Sequence, residues 1–146
     1  MTTIVQGGKI IETGYGMLTT KGPSVAPTSS GNLAAVSGPC LITSLWLIVT
    51  TVFTGTATTL NVGTAAGATT LVNAATLTSL AVGSVITGAP IPNASSYWNS
   101  QSNTLVNVGP IVAATGNITW IASAGNTGQL QAYIGWVPLA AGAQIS

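Results

Sequence analysis

Charge is what this chain has least of. Of its 146 residues only Lys9, Glu12 and Lys21 carry a formal charge, all within the first 21 positions, and there is no Asp, Arg or His. That absence removes most of the parts from which enzyme sites are built. A serine-hydrolase triad has no His to draw on, glycoside hydrolysis has no carboxylate pair, and zinc has no Cys/His set. Calcium sites want several carboxylates, and Glu12 is the only acidic side chain. Gly7-Gly8-Lys9 and Gly14-Tyr15-Gly16 lack the preceding strand and following helix of a phosphate loop. The sequence is therefore that of a non-enzymatic protein with no catalytic residues, no cofactor and no metal. Phosphate recognition rests on clustered Lys and Arg, so nucleic acid is not an expected partner.

Cysteine is nearly missing too. Cys40 stands alone, which precludes an intramolecular disulfide and suits folding in a reducing cytoplasm. With no His beside it to raise a thiolate, Cys40 is expected to be buried and inert. Long hydrophobic runs are lacking as well. The most apolar stretch, residues 41–53, is interrupted by Thr43, Ser44, Thr50 and Thr51 and falls short of the roughly 20 apolar residues of a spanning helix. A central strand, or two joined by a bulge, covers it better, and no membrane partner is expected. The N-terminus shows no basic segment followed by an apolar core, so no signal peptide is expected. The sequons at Asn93 and Asn117 are then chance.

What is abundant is β-branched. Thr (23), Val (13) and Ile (12) make 48 residues, about one in three, and such side chains fit a pleated surface better than a helix. Eighteen glycines and seven prolines punctuate the chain. The expectation is an all-β protein: a β-sandwich of about eight short strands, with the jelly roll among its variants, preceded by an extended N-terminal arm. The boundary is placed at residue 40, with an arm, partly irregular, over 1–40 and the sandwich over 41–146. The arm holds every charge and few apolar residues, and reads either as a loose tail or irregular edge strands, or as an extended arm that lies on a partner and orders on binding. With so little charge, the surface is expected to be Thr, Ser, Asn, Gln and Gly, which favours association into an assembly.

Within 41–146 the alternation is clearest at the end. Ile118, Trp120 and Ala122 share one face of a strand, Leu130, Ala132, Ile134 and Trp136 share one face of another, and the loop 124–128 between them reads as a hairpin turn. Strands are also expected at 58–63, 69–72, 84–87 and 104–108, whereas 73–80 is compatible with a strand or with one or two helical turns capped by Asn73. Trp46, Trp120 and Trp136 are assigned to the core. Tyr97 and Trp98 differ, because they lie in a Pro/Ser/Asn loop. They either pin that loop or form an exposed aromatic pair for a binding surface.

Two phrases carry a family likeness: Gly55-Thr56-Ala57-Thr58-Thr59-Leu60-Asn61-Val62-Gly63 and Gly128-Gln129-Leu130-Gln131-Ala132-Tyr133-Ile134-Gly135-Trp136-Val137-Pro138-Leu139. In style the chain resembles small tailed-bacteriophage virion proteins, above all head decoration (cement) proteins, over residues 41–139. The resemblance implies a capsid-stabilising clamp on the outside of the virion, made in the host cytoplasm, bound to the major capsid protein and homo-oligomeric, with a trimer as the implied state. The arm residues Ile4, Val5, Ile10, Ile11, Met17 and Leu18 are then the expected capsid contacts, and deleting residues 1–20 is expected to leave the core folded. The alternative is a head fibre, tail spike or receptor-binding module that recognises a surface glycan through Tyr97 and Trp98.

Overall fold

The structure, a computed structural model, describes residues 2–6, 9–13, 18–65, 67–88, 98–99 and 111–146. Thirteen strands and no helix occur among them. β1 (Thr2–Gln6) and β2 (Lys9–Thr13) pair as a separate antiparallel ribbon, with Ile4 opposite Ile11 and Val5 opposite Ile10. The others are β3 (Leu18–Val25), β4 (Ser30–Ser37), β5 (Cys40–Thr51), β6 (Thr59–Thr64), β7 (Gly67–Thr76), β8 (Val85–Gly88), β9 (Trp98–Asn99), β10 (Ile111–Ala113), β11 (Gly116–Ala122), β12 (Gln129–Pro138) and β13 (Gln144–Ile145). They form two antiparallel sheets. Sheet 1 runs β3-β12-β5-β8-β9, with β10 also on β5; sheet 2 runs β13-β4-β11-β6-β7.

The sheets face each other across one core. Leu45, Leu47 and Val49 of β5 and Leu130, Ala132 and Ile134 of β12 meet Leu33, Val62, Ile118 and Trp120 of sheet 2. Each fully buried Leu, Ile or Phe contributes roughly 1.5–3 kcal/mol. The long apolar strand is one strand with a bulge. Gly135 pairs with Ser44 and Trp136 with Ile42, so Thr43 is an extra residue. An extra residue reverses the side-chain parity. Cys40 and Ile42 before it, and Leu45, Leu47 and Val49 after it, therefore all point inward. A Cβ on Gly135 would meet the Ser44 hydroxyl and force it to move.

Four sequence expectations change. The sandwich begins at Leu18, since β3 pairs with β12 and β4 with β11; the boundary at residue 40 missed them because β3 is an edge strand, largely exposed and interrupted by Gly22 and Pro23. The strands around Trp120 and Trp136 are not a hairpin. β11 pairs with β4 and β6, β12 with β3 and β5, and residues 123–128 cross between sheets. One apolar face per strand suits a hairpin or two facing sheets equally. Residues 73–76 end β7 and a turn follows at 78–79, with no helix. Ala74, with φ 51°, gives its N–H to Asn61 Oδ1 at 2.6 Å. Trp46 lies outside the core, as shown below. The strand expected at 104–108 lies outside the described residues.

Neutral hydrogen bonds hold the margins. Asn126, buried, gives Nδ2–H to the Thr56 carbonyl (3.1 Å) and to Thr58 Oγ1 (3.4 Å), and its Oδ1 accepts from the Thr127 N–H (2.8 Å). Its own N–H reaches the Pro27 carbonyl at 3.0 Å. One amide thereby joins three loops at one end. At the β3 edge, Trp136 Nε1–H donates to Thr20 Oγ1 (2.9 Å), whose hydroxyl donates to the Ile145 carbonyl (2.8 Å). This tie links sheet 1 to β13 of sheet 2. At the opposite end Gly38, with φ 79°, lets two residues join β4 to β5 across the sheets.

Two outcomes follow from these contacts. Asn126→Ala and Thr20→Val should each lower unfolding free energy by about 1–3 kcal/mol in urea titrations, because each leaves buried partners unsatisfied, while Thr20→Ser should retain most of the stability. Cys40 is fully buried, and desolvation pushes its thiol pKa above the ordinary value. It should stay unmodified by a thiol reagent in native protein and react at once in denaturant. Because its folded pKa is raised, stability should fall as pH rises through the unfolded thiol's value, an effect absent from Cys40→Ala.

Candidate functional site

The two outer faces of the sandwich differ. On sheet 2 the outward residues include Asn32, Ala35 and Ser37 of β4, Asn117 and Thr119 of β11, and Asn61 of β6. That face is dressed mainly with amides and hydroxyls, with Ile121 as its apolar exception. On sheet 1 the parity reversal at Thr43 turns Trp46 and Ile48 outward. Cross-strand register sets Tyr133 beside Trp46 and Trp46 beside Thr87; one row further along, Gln131, Ile48 and Val85 align. Leu41 lies between Val137 and Val112 at the far end of the same face.

Thr19, Trp46, Ile48, Val85, Thr87 and Tyr133 line an open groove of about 520 Å³. Trp46 and Tyr133 are half-buried on its floor and Val85 is exposed on its lip. Lys21 pairs with Tyr133 at the β3 end and is the one charged side chain described on this sheet. Gln131 reaches back over the β3 irregularity and gives Nε2–H to the Gly22 carbonyl at 2.5 Å. The groove can offer aromatic and aliphatic surface to a partner, but no acid, base or metal ligand. Among the described residues no three His, Cys, Asp or Glu side chains come together, and none forms a helix long and apolar enough to cross a membrane.

The residues singled out in the sequence fall in different places. Ile4, Val5, Ile10 and Ile11 sit in the β1–β2 ribbon as two opposed pairs. Leu18 opens β3 opposite Trp136 and is exposed. Met17 and Tyr97 lie outside the described residues. Trp98 is in β9, paired with Thr87, which gives it a register position on the row of Tyr133 and Trp46. Sequence reasoning missed the groove because Trp46 was counted as core. The available signal was the Thr43-Ser44 pair, whose two hydroxyls interrupt the apolar run and mark the bulge.

No family model and no curated protein matches this chain. A solved structure does: a chain of the cyanophage Pam1 capsid asymmetric unit, 14% identical, with a TM-score of 0.58 over 92% of this chain and 94% of that one. At that identity the likeness is one of fold, and it extends nearly end to end in both chains.

Proposed function

We propose that the chain is a virion structural protein that decorates a phage capsid and stabilises it by bridging neighbouring subunits of the major capsid protein. The observation that carries this reading is the likeness in fold, over almost the whole length, to a chain of a phage capsid asymmetric unit. The strand order supports it: β3-β12-β5-β8 against β4-β11-β6-β7 is read as a jelly roll. The surface supports it as well, because a face with Lys21 as its one described charge binds mainly by apolar burial and neutral hydrogen bonds. Binding the assembled shell but not its unfolded parts adds stability by mass action. The arm, with Ile4, Val5, Ile10, Ile11, Met17 and Leu18, is the proposed capsid contact, the exterior of the virion the proposed location, and a homo-oligomer, a trimer by family resemblance, the proposed state. No catalytic step, cofactor or nucleic acid enters this reading.

A second reading, a glycan-binding fibre or spike module, is favoured by one observation: the register of β9 puts Trp98 in line with Thr87, Trp46 and Tyr133.

Mass spectrometry of purified virions separates the two. Many copies in simple ratio to the major capsid protein are the expected result, whereas a handful points to a fibre or spike, and absence from particles overturns the virion assignment. Capsid binding should change little between low and high salt; a steep loss in salt contradicts the mechanism. Deleting residues 1–17 should weaken attachment and leave the circular dichroism spectrum of a folded sandwich. The cut stops before Leu18 because Thr20 belongs to the Trp136–Ile145 tie. Trp98→Ala should leave capsid attachment intact, and loss of glycan or cell binding in that variant would favour the second reading.

A further inference from the structure

We propose that the β1–β2 ribbon folds back over the outer face of sheet 1 in its own chain, covering the groove formed by Trp46, Ile48, Val85 and Tyr133. Four observations lead there. A two-stranded ribbon with five residues in each strand is at best marginally stable in water without a surface to pack on. The ribbon is apolar at its two middle pairs, where Ile4 opposes Ile11 and Val5 opposes Ile10, and polar at the flanking pairs Thr2–Thr13, Thr3–Glu12 and Gln6–Lys9. These are adjacent register positions, which a strand assigns to opposite faces, so each face has one apolar register pair among polar ones.

The tether is short and starts in the right place. Residues 14–17 alone separate Thr13 from Leu18, and Thr19 is itself on the groove lip. Four extended residues span about 13 Å. From Leu18 the groove floor at Trp46 is two strand spacings across, about 10 Å, and three residues along, about 10 Å, a distance that the tether covers together with the ribbon's own length of about 17 Å. The alternative surface, the outer face of sheet 2, is mostly Asn, Thr and Ser and offers little apolar area. A ribbon seated by one pair also keeps the other pair outward, as a capsid-contacting arm needs. The inference itself does not rest on that function and is tested on purified chain with no capsid present.

The test is acrylamide quenching of Trp46, isolated by comparison with Trp46→Phe, in the full-length chain. Two double variants are compared: Ile4→Asn with Ile11→Asn, and Val5→Asn with Ile10→Asn. The expected result is a severalfold rise in Trp46 quenching in at least one of them, with the far-ultraviolet spectrum of the sandwich unchanged. Unchanged quenching in both overturns the proposal. So does a rise in the unaltered chain on dilution alone, which would mean that a second copy supplies the cover. Amide hydrogen exchange of the unaltered chain gives the answer without substitutions: protected amides in β1 and β2 support the docked ribbon, and exchange at unstructured rates overturns it.

Discussion

The structure turns on one extra residue. Thr43 enters β5 without a partner on β12, and the parity of the strand is reversed from Ser44 to Val49, where a second shift at Thr50 follows. Without it, a strand that buries Cys40 and Ile42 would carry Trp46 and Ile48 into the core and expel Leu45, Leu47 and Val49. With it, the central strand of sheet 1 buries five residues on one face and spends its two largest remaining side chains on the outside. The groove is thus a by-product of how the core is filled. The same step leaves the Thr43 and Ser44 hydroxyls buried with no hydrogen-bond partner among the described residues, so the bulge is retained against a polar cost of about 1–3 kcal/mol per group.

A protein this poor in charge must place its polar contacts economically, and it concentrates them at the margins. Asn126 serves three loops at one end, while Trp136, Thr20 and the Ile145 carbonyl form a short relay at the β3 edge. Both are made of neutral groups, whose hydrogen bonds are screened little by salt. A fold held together by such contacts loses little when the salt concentration changes.

The fold class was legible in composition, since a chain one-third β-branched and full of glycine turns has few choices. The inward faces of the last two long strands were legible as well, with Ile118 and Trp120 on one and Leu130, Ala132, Ile134 and Trp136 on the other. Their partners were not, because alternation reports which side of a strand is apolar and says nothing about which sheet the next strand joins. β3 was legible only as one alternative. As an edge strand it buries little, so irregular edge strands in 1–40 could not be told from a loose tail until β12 is seen beside it. The candidate site stayed hidden behind the parity reversal, because Leu45, Trp46, Leu47, Ile48 and Val49 are all apolar and alternation there cannot say which of them face inward.

Three of the described sheet edges are guarded without relying on a field of charge. β13 is two residues long, too short to template another strand; β3 carries Pro23, which has no N–H to offer, beside Lys21; and β7 is bent by register shifts against β6 and by Ala74 in the left-handed region. Most proteins keep their copies apart by mutual repulsion, which vanishes at the isoelectric point and there invites precipitation. Here the protection is built into backbone shape, which acid and alkali do not titrate. The isoelectric point, an instruction to a protein chemist in most cases, is for this molecule close to a formality.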